Sequence, residues 1–495
     1  MDSAYGKCQW LAIRQGDSGR GHQYLILALL MVLAAAVRLF WLDHPHLWMD
    51  EIFTWVYTRE SYAHHFALSR TSDLHPPLHT VMLKGWISLF GESRVAMRML
   101  SVLFGVFTLP AIYLIARYRT NPRIAVIACL FLALNPMNVH YSREARAYAA
   151  LSFFLLWAIY FFLALVRERQ SRTGNTGWLF AGFAVCLAMT FHLHYLSVLF
   201  FPLFGLAALV LSISQGDRRL FVQLAGATAL AALLCIPQSV HFFGYATQGG
   251  SWRNAWMPAT TWAVFYSQTV GAYPFPSIFK LLVVPIYLFG AWRLWHLSRP
   301  LFIMTIIFVV IGPLLFAMVS LVRPLYLVRS IQCFTLLSPL LLAVALAGLP
   351  NRWLALASGL LAALHLWALG PDYHRERHSN AGEIIKQALA GQEENSLYFD
   401  ANLRRELTAY RVDLNNAWPI DLDESSHDAP VIARHLSHCA DPSLDCPPIT
   451  VIIEDRPLVR EGAGMDWRRA LDELTKAYPP RSDRILANYR IVTFE

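Results

Sequence analysis

YLILALLMVLAAAVRLFWL, Tyr24–Leu42, runs without interruption into DHPHLWMDEIFTW, Asp43–Trp55. The first stretch decides the fold class. It is an apolar run of about 20 residues, enough for a helix to cross a hydrocarbon core of about 30 Å. No small-residue cleavage site follows it, so it reads as an anchor rather than a signal peptide. The second stretch sets two carboxylates, Asp50 and Glu51, among aromatic and aliphatic neighbours where a membrane surface is expected.

The rest of the chain repeats the first pattern. Of its 495 residues, 56% are hydrophobic and only 15% charged, and the mean hydropathy is +0.40. Soluble domains carry roughly a quarter charged residues. Apolar windows recur at about 24–42, 95–116, 123–140, 147–166, 177–194, 196–213, 219–237, 278–296, 301–322, 329–348 and 352–370, about eleven in all. Windows this long exclude barrel strands. The expectation is a polytopic α-helical membrane protein. Residues 1–370 form its membrane domain, in which an outer loop over 43–94 carries interfacial helices.

The net charge of +8 does not mark a nucleic-acid-binding protein, because the basic residues sit in short loops between spans. Lys7, Arg14 and Arg20 precede the first span. Arg117, Arg119 and Arg123, then Arg167, Arg169 and Arg172, Arg218 and Arg219, Arg293 and Arg299, and finally Arg352 fill alternate connections. The positive-inside rule puts that side in the cytoplasm, with the N-terminus inside and the C-terminal segment outside a bacterial inner membrane.

The tail, 371–495, changes composition. SLYFD, PITVIIED and RIVTF are strand-like and alternate with helix-compatible stretches such as WRRALDELTKAY, so a small outer α/β domain is expected. Cys439 and Cys446 are its two cysteines, and in an oxidising compartment a disulfide between them is the simplest reading. A zinc site with His435 and His438 is the rival, although no ligand pair has finger-like spacing.

Five outer segments carry charge or imidazole. WMDEIFTWVYTRESYAHHF reads as an amphipathic interfacial helix. At its start Asp50 or Glu51 is either a helix cap, worth about 1 kcal/mol, or a base for a hydroxyl proton. DLHPPLHTVMLKGW, Asp73–Trp86, starts a second helix at Pro76–Pro77; the open N–H groups there make an anion site beside His75, or only a stiff junction. In NPMNVHYSREARAYA, Arg143 and Arg146 flank Glu144 in a tight turn. They either snorkel from span ends or clamp phosphate bidentately, and Arg323 with Arg329 around PLYLV makes a possible second clamp. His192 and His194 in FHLHY are interfacial histidines or, alternatively, metal ligands. Asp73, Tyr148 and His194 are further candidates for donor or acceptor contacts.

Taken together, W-M-D-E after the first span, H-P-P-L before an interfacial helix and S-R-E-A-R-A-Y between spans three and four resemble the GT-C superfamily of membrane glycosyltransferases. The resemblance is to the family of protein O-mannosyltransferases and the lipid A aminoarabinose transferase. It covers the first half of the chain by motif and the remainder only by layout. It implies a sugar donor linked through phosphate to a polyprenyl lipid, and an acceptor hydroxyl on an envelope glycan, lipid or protein. It also implies Asp50 as base with Glu51 as neighbour, and Arg143 or Arg146 facing phosphate. His75 stands where the aminoarabinose branch has a donor-contacting lysine, which weakens any assignment of that sugar.

The chemistry is consistent with these residue types. A departing lipid phosphate gathers negative charge that arginine or a helix N-terminus must stabilise, and one carboxylate suffices for a single inverting displacement. With no D-x-D in the first loop and a monophosphate leaving group, transfer is expected to need neither metal nor cofactor. The rivals are an oligosaccharyltransferase or ligase with a diphosphate donor, and a polyprenyl-linked sugar transporter. No repeat supports the transporter, and the unusual charges cluster at the outer surface rather than mid-bilayer.

Overall fold

The computed structural model describes residues 17–44, 47–59, 61–63, 75–171, 176–247, 260–273, 277–322, 325–373, 396–400, 417–420, 449–454, 467–478, 480–486 and 489–494. Asp73, Arg323, Cys439 and Cys446, and with them the expected disulfide, lie outside the described residues. The chain divides into two compact units. One comprises Met1–His44 and Ser61–His374; the other comprises Pro45–Glu60 and Arg375–Glu495.

The first unit is helical, and it makes the protein a multi-pass membrane protein. Among the described residues six helices, Gly21–Leu39, Arg94–Ala116, Tyr148–Gln170, Tyr195–Gln215, Arg299–Val322 and Asn351–Pro371, are long and apolar enough to cross a bilayer. Two bent pairs raise the number to eight: Pro122–Ala133 with Pro136–Ser142, bent by 56°, and Val328–Thr335 with Ser338–Leu346, bent by 42°. The other expected windows are also helical, at Gly177–Leu193, Arg218–Leu234 and Ser277–Leu297.

The first bend has a local cause. Asn121 and Asn135 each precede a proline, and their side chains accept from the N–H groups of Ile124 (3.0 Å) and Asn138 (3.0 Å). Each Asn-Pro pair therefore begins a helix, with proline in the first turn where its missing N–H does no harm. Asn135 starts a new helix inside an apolar window that sequence periodicity reads as continuous.

The bundle centre is aromatic. Phe162, Phe183 and Phe204 pack at centroid separations of 5.0–5.6 Å, and Phe308 meets Phe204 edge-on at 5.1 Å. Large apolar side chains on the outside, such as Leu29, Val32, Leu288 and Leu356, stay exposed, as lipid-facing positions require. Gly290 lets its helix approach Ser338–Leu346, since a Cβ there would fall 2.1 Å from the Leu341 carbonyl oxygen.

The Tyr148–Ser171 helix separates two sets of loops. Arg146 precedes its first turn, and Arg169 lies in its last, where it meets Asp217 at 2.9 Å. Twenty-four residues at about 1.5 Å each put the two ends roughly 36 Å apart.

The second unit contains the Met49–Arg59 helix and a five-stranded sheet of order β2-β1-β3-β5-β4. Here β1 is Ser396–Asp400, β2 Ala417–Ile420, β3 Ile449–Glu454, β4 Ser482–Leu486 and β5 Tyr489–Phe494. Strand β1 runs parallel to β2 and β3; β5 is antiparallel to β3 and β4. Ile449 and Val451 on β3, with Val492 and Phe494 on β5, are buried. Thr450 and Thr493 face each other across the register, their hydroxyls 3.3 Å apart. The Trp467–Ala477 helix buries Leu471 and Leu474, three apart on one face.

Candidate functional site

The SREAR segment turns in two directions. The preceding Pro136–Ser142 helix sits tightly against Gly105, where an added Cβ would fall 2.1 Å from Ser142 Oγ and 2.9 Å from Arg38 Nε. The Arg143 N–H then donates to the His140 carbonyl (3.0 Å) and the Arg146 N–H to the Glu144 carbonyl (2.7 Å). Glu144 is buried and pairs with His140 Nε2 at 3.2 Å, which fixes the turn from within.

Arg143 points inward. Its Nη2 donates to the carbonyls of Phe40 (2.9 Å) and Trp41 (3.0 Å), and its guanidinium lies 4.3 Å from the Tyr373 ring centroid. Arg98 donates to the Leu42 carbonyl (2.8 Å), and the Tyr373 hydroxyl to that of Val37 (2.6 Å). These carbonyls lie in or just past the last turn of the first membrane helix, where the helix's own N–H groups run out, and that of Trp41 also accepts the His44 N–H at 3.2 Å. Trp41 leaves the helix with a left-handed φ of 49°. Two arginines and a tyrosine therefore fasten the point from which the acid-bearing loop departs.

Arg146 points the other way. Its Nη2 lies 3.3 Å from His75 Nε2. A guanidinium offers only donors, so the imidazole nitrogen accepts and the His75 ring carries its hydrogen on Nδ1. The His75 ring meets His194 edge-on at 5.1 Å, and Tyr148 lies 6.0 Å from His194. His194 ends the Gly177–Leu193 helix, and its Nδ1 accepts the Leu196 N–H (3.2 Å), which leaves Nε2 as its donor. Burial, then His75, Arg146 and Arg329, hold His194 well below the usual imidazole range. His79, in the first turn of the Leu78–Phe90 helix, is pushed down to about 3 by burial and then by Arg146 and His75. Both imidazoles are neutral at physiological pH, beside two permanently charged arginines.

A small cleft, with room for about one water molecule, opens beside this cluster. Tyr148, His194, Arg329 and Ser330 supply its polar lining; Leu151, Phe200 and Phe334 supply an apolar wall. Cationic and neutral donors next to an apolar wall suit a phosphate attached to a hydrocarbon chain.

In the second unit, Asp50 and Glu51 lie in the first turn of Met49–Arg59. Glu51 Oε2 accepts the Trp48 N–H at 3.3 Å, the reach-back contact of a capping box, and Glu51 is buried. Asp50 is half-buried, and its carbonyl accepts the Thr54 hydroxyl at 2.9 Å. Glu51 thus supplies the cap contact.

Of the candidate residues, the structure gathers His75, Arg146, Tyr148, His194 and Arg329 in one cluster and turns Arg143 away from it. His79 and Arg98 were not anticipated. The signal present in HPPLH was a second imidazole two residues past Pro77, in the first turn of the helix that the prolines start. Arg98 gave only the weaker signal of a charge in an apolar window.

Residues 74–241 match the family model described as dolichyl-phosphate-mannose-protein mannosyltransferase. Over nearly its whole length the chain is similar in fold to ArnT from Cupriavidus metallidurans in the apo state: TM-score 0.62, 14% identity, covering 96% of this chain and 98% of that one. For the same protein bound to undecaprenyl phosphate the values are 0.58, 15%, 94% and 97%. The Archaeoglobus fulgidus oligosaccharyltransferase AglB, in complex with an inhibitory peptide and a dolichol-phosphate, matches at TM-score 0.52 and 10% identity over 88% of this chain and 70% of that one. No curated protein sequence matches the chain.

Proposed function

We propose that this protein transfers a sugar from a polyprenyl-phosphate donor to an acceptor hydroxyl at the outer face of a bacterial cytoplasmic membrane, with inversion. The observation that carries this reading is the contact of Arg146 with His75 beside His194, at the rim of the cleft that Arg329 lines. Two fixed positive charges and imidazole donors beside an apolar wall match a lipid phosphate.

In this reading the donor phosphodiester lies against Arg146 and Arg329, with its prenyl chain along the apolar side of the cleft. The Asp50 carboxylate takes the proton of the acceptor hydroxyl as the new C1–O bond forms. The bond from C1 to the phosphate oxygen breaks with its electron pair, and the carrier leaves as a phosphate monoester. Its second negative charge is stabilised by the arginines. Glu51 holds the first turn on which Asp50 sits. A monophosphate leaves without needing a divalent ion, so activity is expected to persist in EDTA, as a diphosphate-dependent ligase would not. Arg143 serves the same reaction indirectly, by anchoring the start of the outer loop.

The orientation belongs to the same proposal. Eleven segments cross the membrane, with the arginine-rich loops at the Arg169 end of the bundle inside. Residues 1–370 form the catalytic domain and 371–495 an outer α/β domain, closed by the Cys439–Cys446 disulfide. Mass spectrometry of envelope glycoconjugates from cells with and without the protein tests the function. A glycan, lipid or protein should lose one sugar in its absence; identical profiles would count against transfer.

A further inference from the structure

Arg329 reaches the cleft from a helix of only four residues, Val328–Ile331. The residue before that helix is Leu327, whose extended backbone (φ −125°, ψ 153°) suits a Ser, Thr, Asn or Asp cap. Leucine has no acceptor to offer. The acceptor comes instead from 60 residues upstream, where Gln268 Oε1 takes the Val328 N–H at 2.8 Å. Gln268 belongs to the Trp262–Gly271 helix, which turns Trp262 and Tyr266 outward and meets the Arg329 segment at three further points. The Thr269 hydroxyl lies 2.8 Å from that of Tyr326, and the Phe265 ring packs on the Tyr326 ring at 5.3 Å. Gly271 lets Val328 approach, since an added Cβ would lie 3.1 Å from Val328 Cγ2. Just past the short helix, the buried Gln332 donates to Ser152 Oγ (3.3 Å), which donates to the Tyr148 carbonyl (2.9 Å). The Arg329 turn is therefore braced at both ends, and the second brace leads to Tyr148, which lines the same cleft.

We propose that Gln268 is a positioning residue for the lipid-phosphate donor: it caps the Arg329 helix from a distance and so sets where that guanidinium meets phosphate. This rests on the donor-phosphate reading above. A guanidinium fork matches phosphate oxygens over a narrow range of geometries, so drift at the base of its stem is felt at its tip. Without Gln268 the start of a four-residue helix loses an acceptor that its own sequence cannot replace, and its first turn frays. The binding arrangement of Arg329 then becomes one of several, and apparent affinity falls with its share.

The test is a double-mutant cycle on the binding of geranylgeranyl phosphate to the full-length protein in detergent micelles, with Gln268→Met, Arg329→Ala and the pair. Methionine keeps the volume of glutamine and removes the acceptor. Arg329→Ala alone should weaken binding by about tenfold or more, as loss of a charge-assisted contact does. Gln268→Met alone should weaken it about 3- to 10-fold, the reach of one neutral hydrogen bond. In the Arg329→Ala background the same change should alter affinity by less than about twofold, because the group it positions is gone. A general loosening of the fold would weaken both backgrounds alike. If Gln268→Met does not fold, Gln268→Asn, one methylene shorter, takes its place in the cycle. Equal losses in the two backgrounds, or no loss in either, would overturn the positioning role while leaving the phosphate site standing. Wild-type affinity in Arg329→Ala would remove Arg329 from that site, and the positioning role with it.

Discussion

Arg143 and Arg146 stand three residues apart in one turn, and their replacement by alanine should have opposite consequences. Arg146→Ala removes a guanidinium that contacts His75 at 3.3 Å. A charge-assisted hydrogen bond contributes about 1.5–3 kcal/mol, so affinity for a polyprenyl phosphate should fall roughly 10- to 150-fold. If the same group stabilises the departing phosphate, turnover should fall by about 10²–10³. Arg143→Ala instead strips donors from the carbonyls of Phe40 and Trp41 and removes the contact with the Tyr373 ring. Each of these charge-assisted hydrogen bonds contributes about 1.5–3 kcal/mol, and the cation–π contact adds about 1 kcal/mol. The loss should appear as a lower thermal midpoint in detergent, with lipid-phosphate affinity within about threefold of wild type in the protein that remains folded. The assay is paired: unfolding by tryptophan fluorescence, and titration with geranylgeranyl phosphate. A thermally intact Arg143→Ala that no longer binds, together with an Arg146→Ala that binds normally, would refute the assignment.

Further outcomes follow from the same geometry. His79 is held down at about 3 when folded, whereas an unfolded histidine titrates near pH 6.5; below pH 6.5 the unfolded chain gains a proton that the folded one does not. That stabilisation is complete above pH 6.5 and lost as pH falls, by up to about 1.4 kcal/mol per unit, so His79→Gln should flatten the acid side of a thermal-midpoint profile between pH 7.5 and 5. Gly105→Ala puts a Cβ 2.1 Å from Ser142 Oγ and should destabilise by about 1–3 kcal/mol, measured as a lower midpoint. For orientation, cysteines at exposed Trp262 and Arg219 should label from outside and inside respectively with an impermeant maleimide; the reverse pattern would invert the topology.

Much of the helical unit is legible in the sequence because length and apolarity alone determine what can cross a membrane. Each expected window coincides with a helix or a bent pair of helices. What windows cannot show is where a helix restarts. The break at Asn135–Pro136 depends on one side-chain cap, and the 56° bend follows from it. In the tail, β2 (AWPI) was not anticipated, since it is short and contains Pro419, a residue tolerated there because the strand lies at the sheet edge. The site was legible as a set of residue types but not as roles. Arg143 and Arg146 look equivalent in SREAR; only the fold sends one to the carbonyls of the first helix and the other to His75. Likewise nothing in W-M-D-E tells which acid caps the helix, until Glu51 is found on the Trp48 N–H.

Sugar transfer by this protein should depend on the Asp50 carboxylate. Cells lacking the protein should be complemented with wild type or Asp50→Asn, and their envelope glycoconjugates compared by mass spectrometry, with membrane insertion and geranylgeranyl phosphate binding measured on the same variant. Asp50→Asn should insert and bind lipid phosphate as wild type does, yet leave the acceptor without its sugar. Full restoration of the sugar by Asp50→Asn would contradict the assignment of Asp50 as the base.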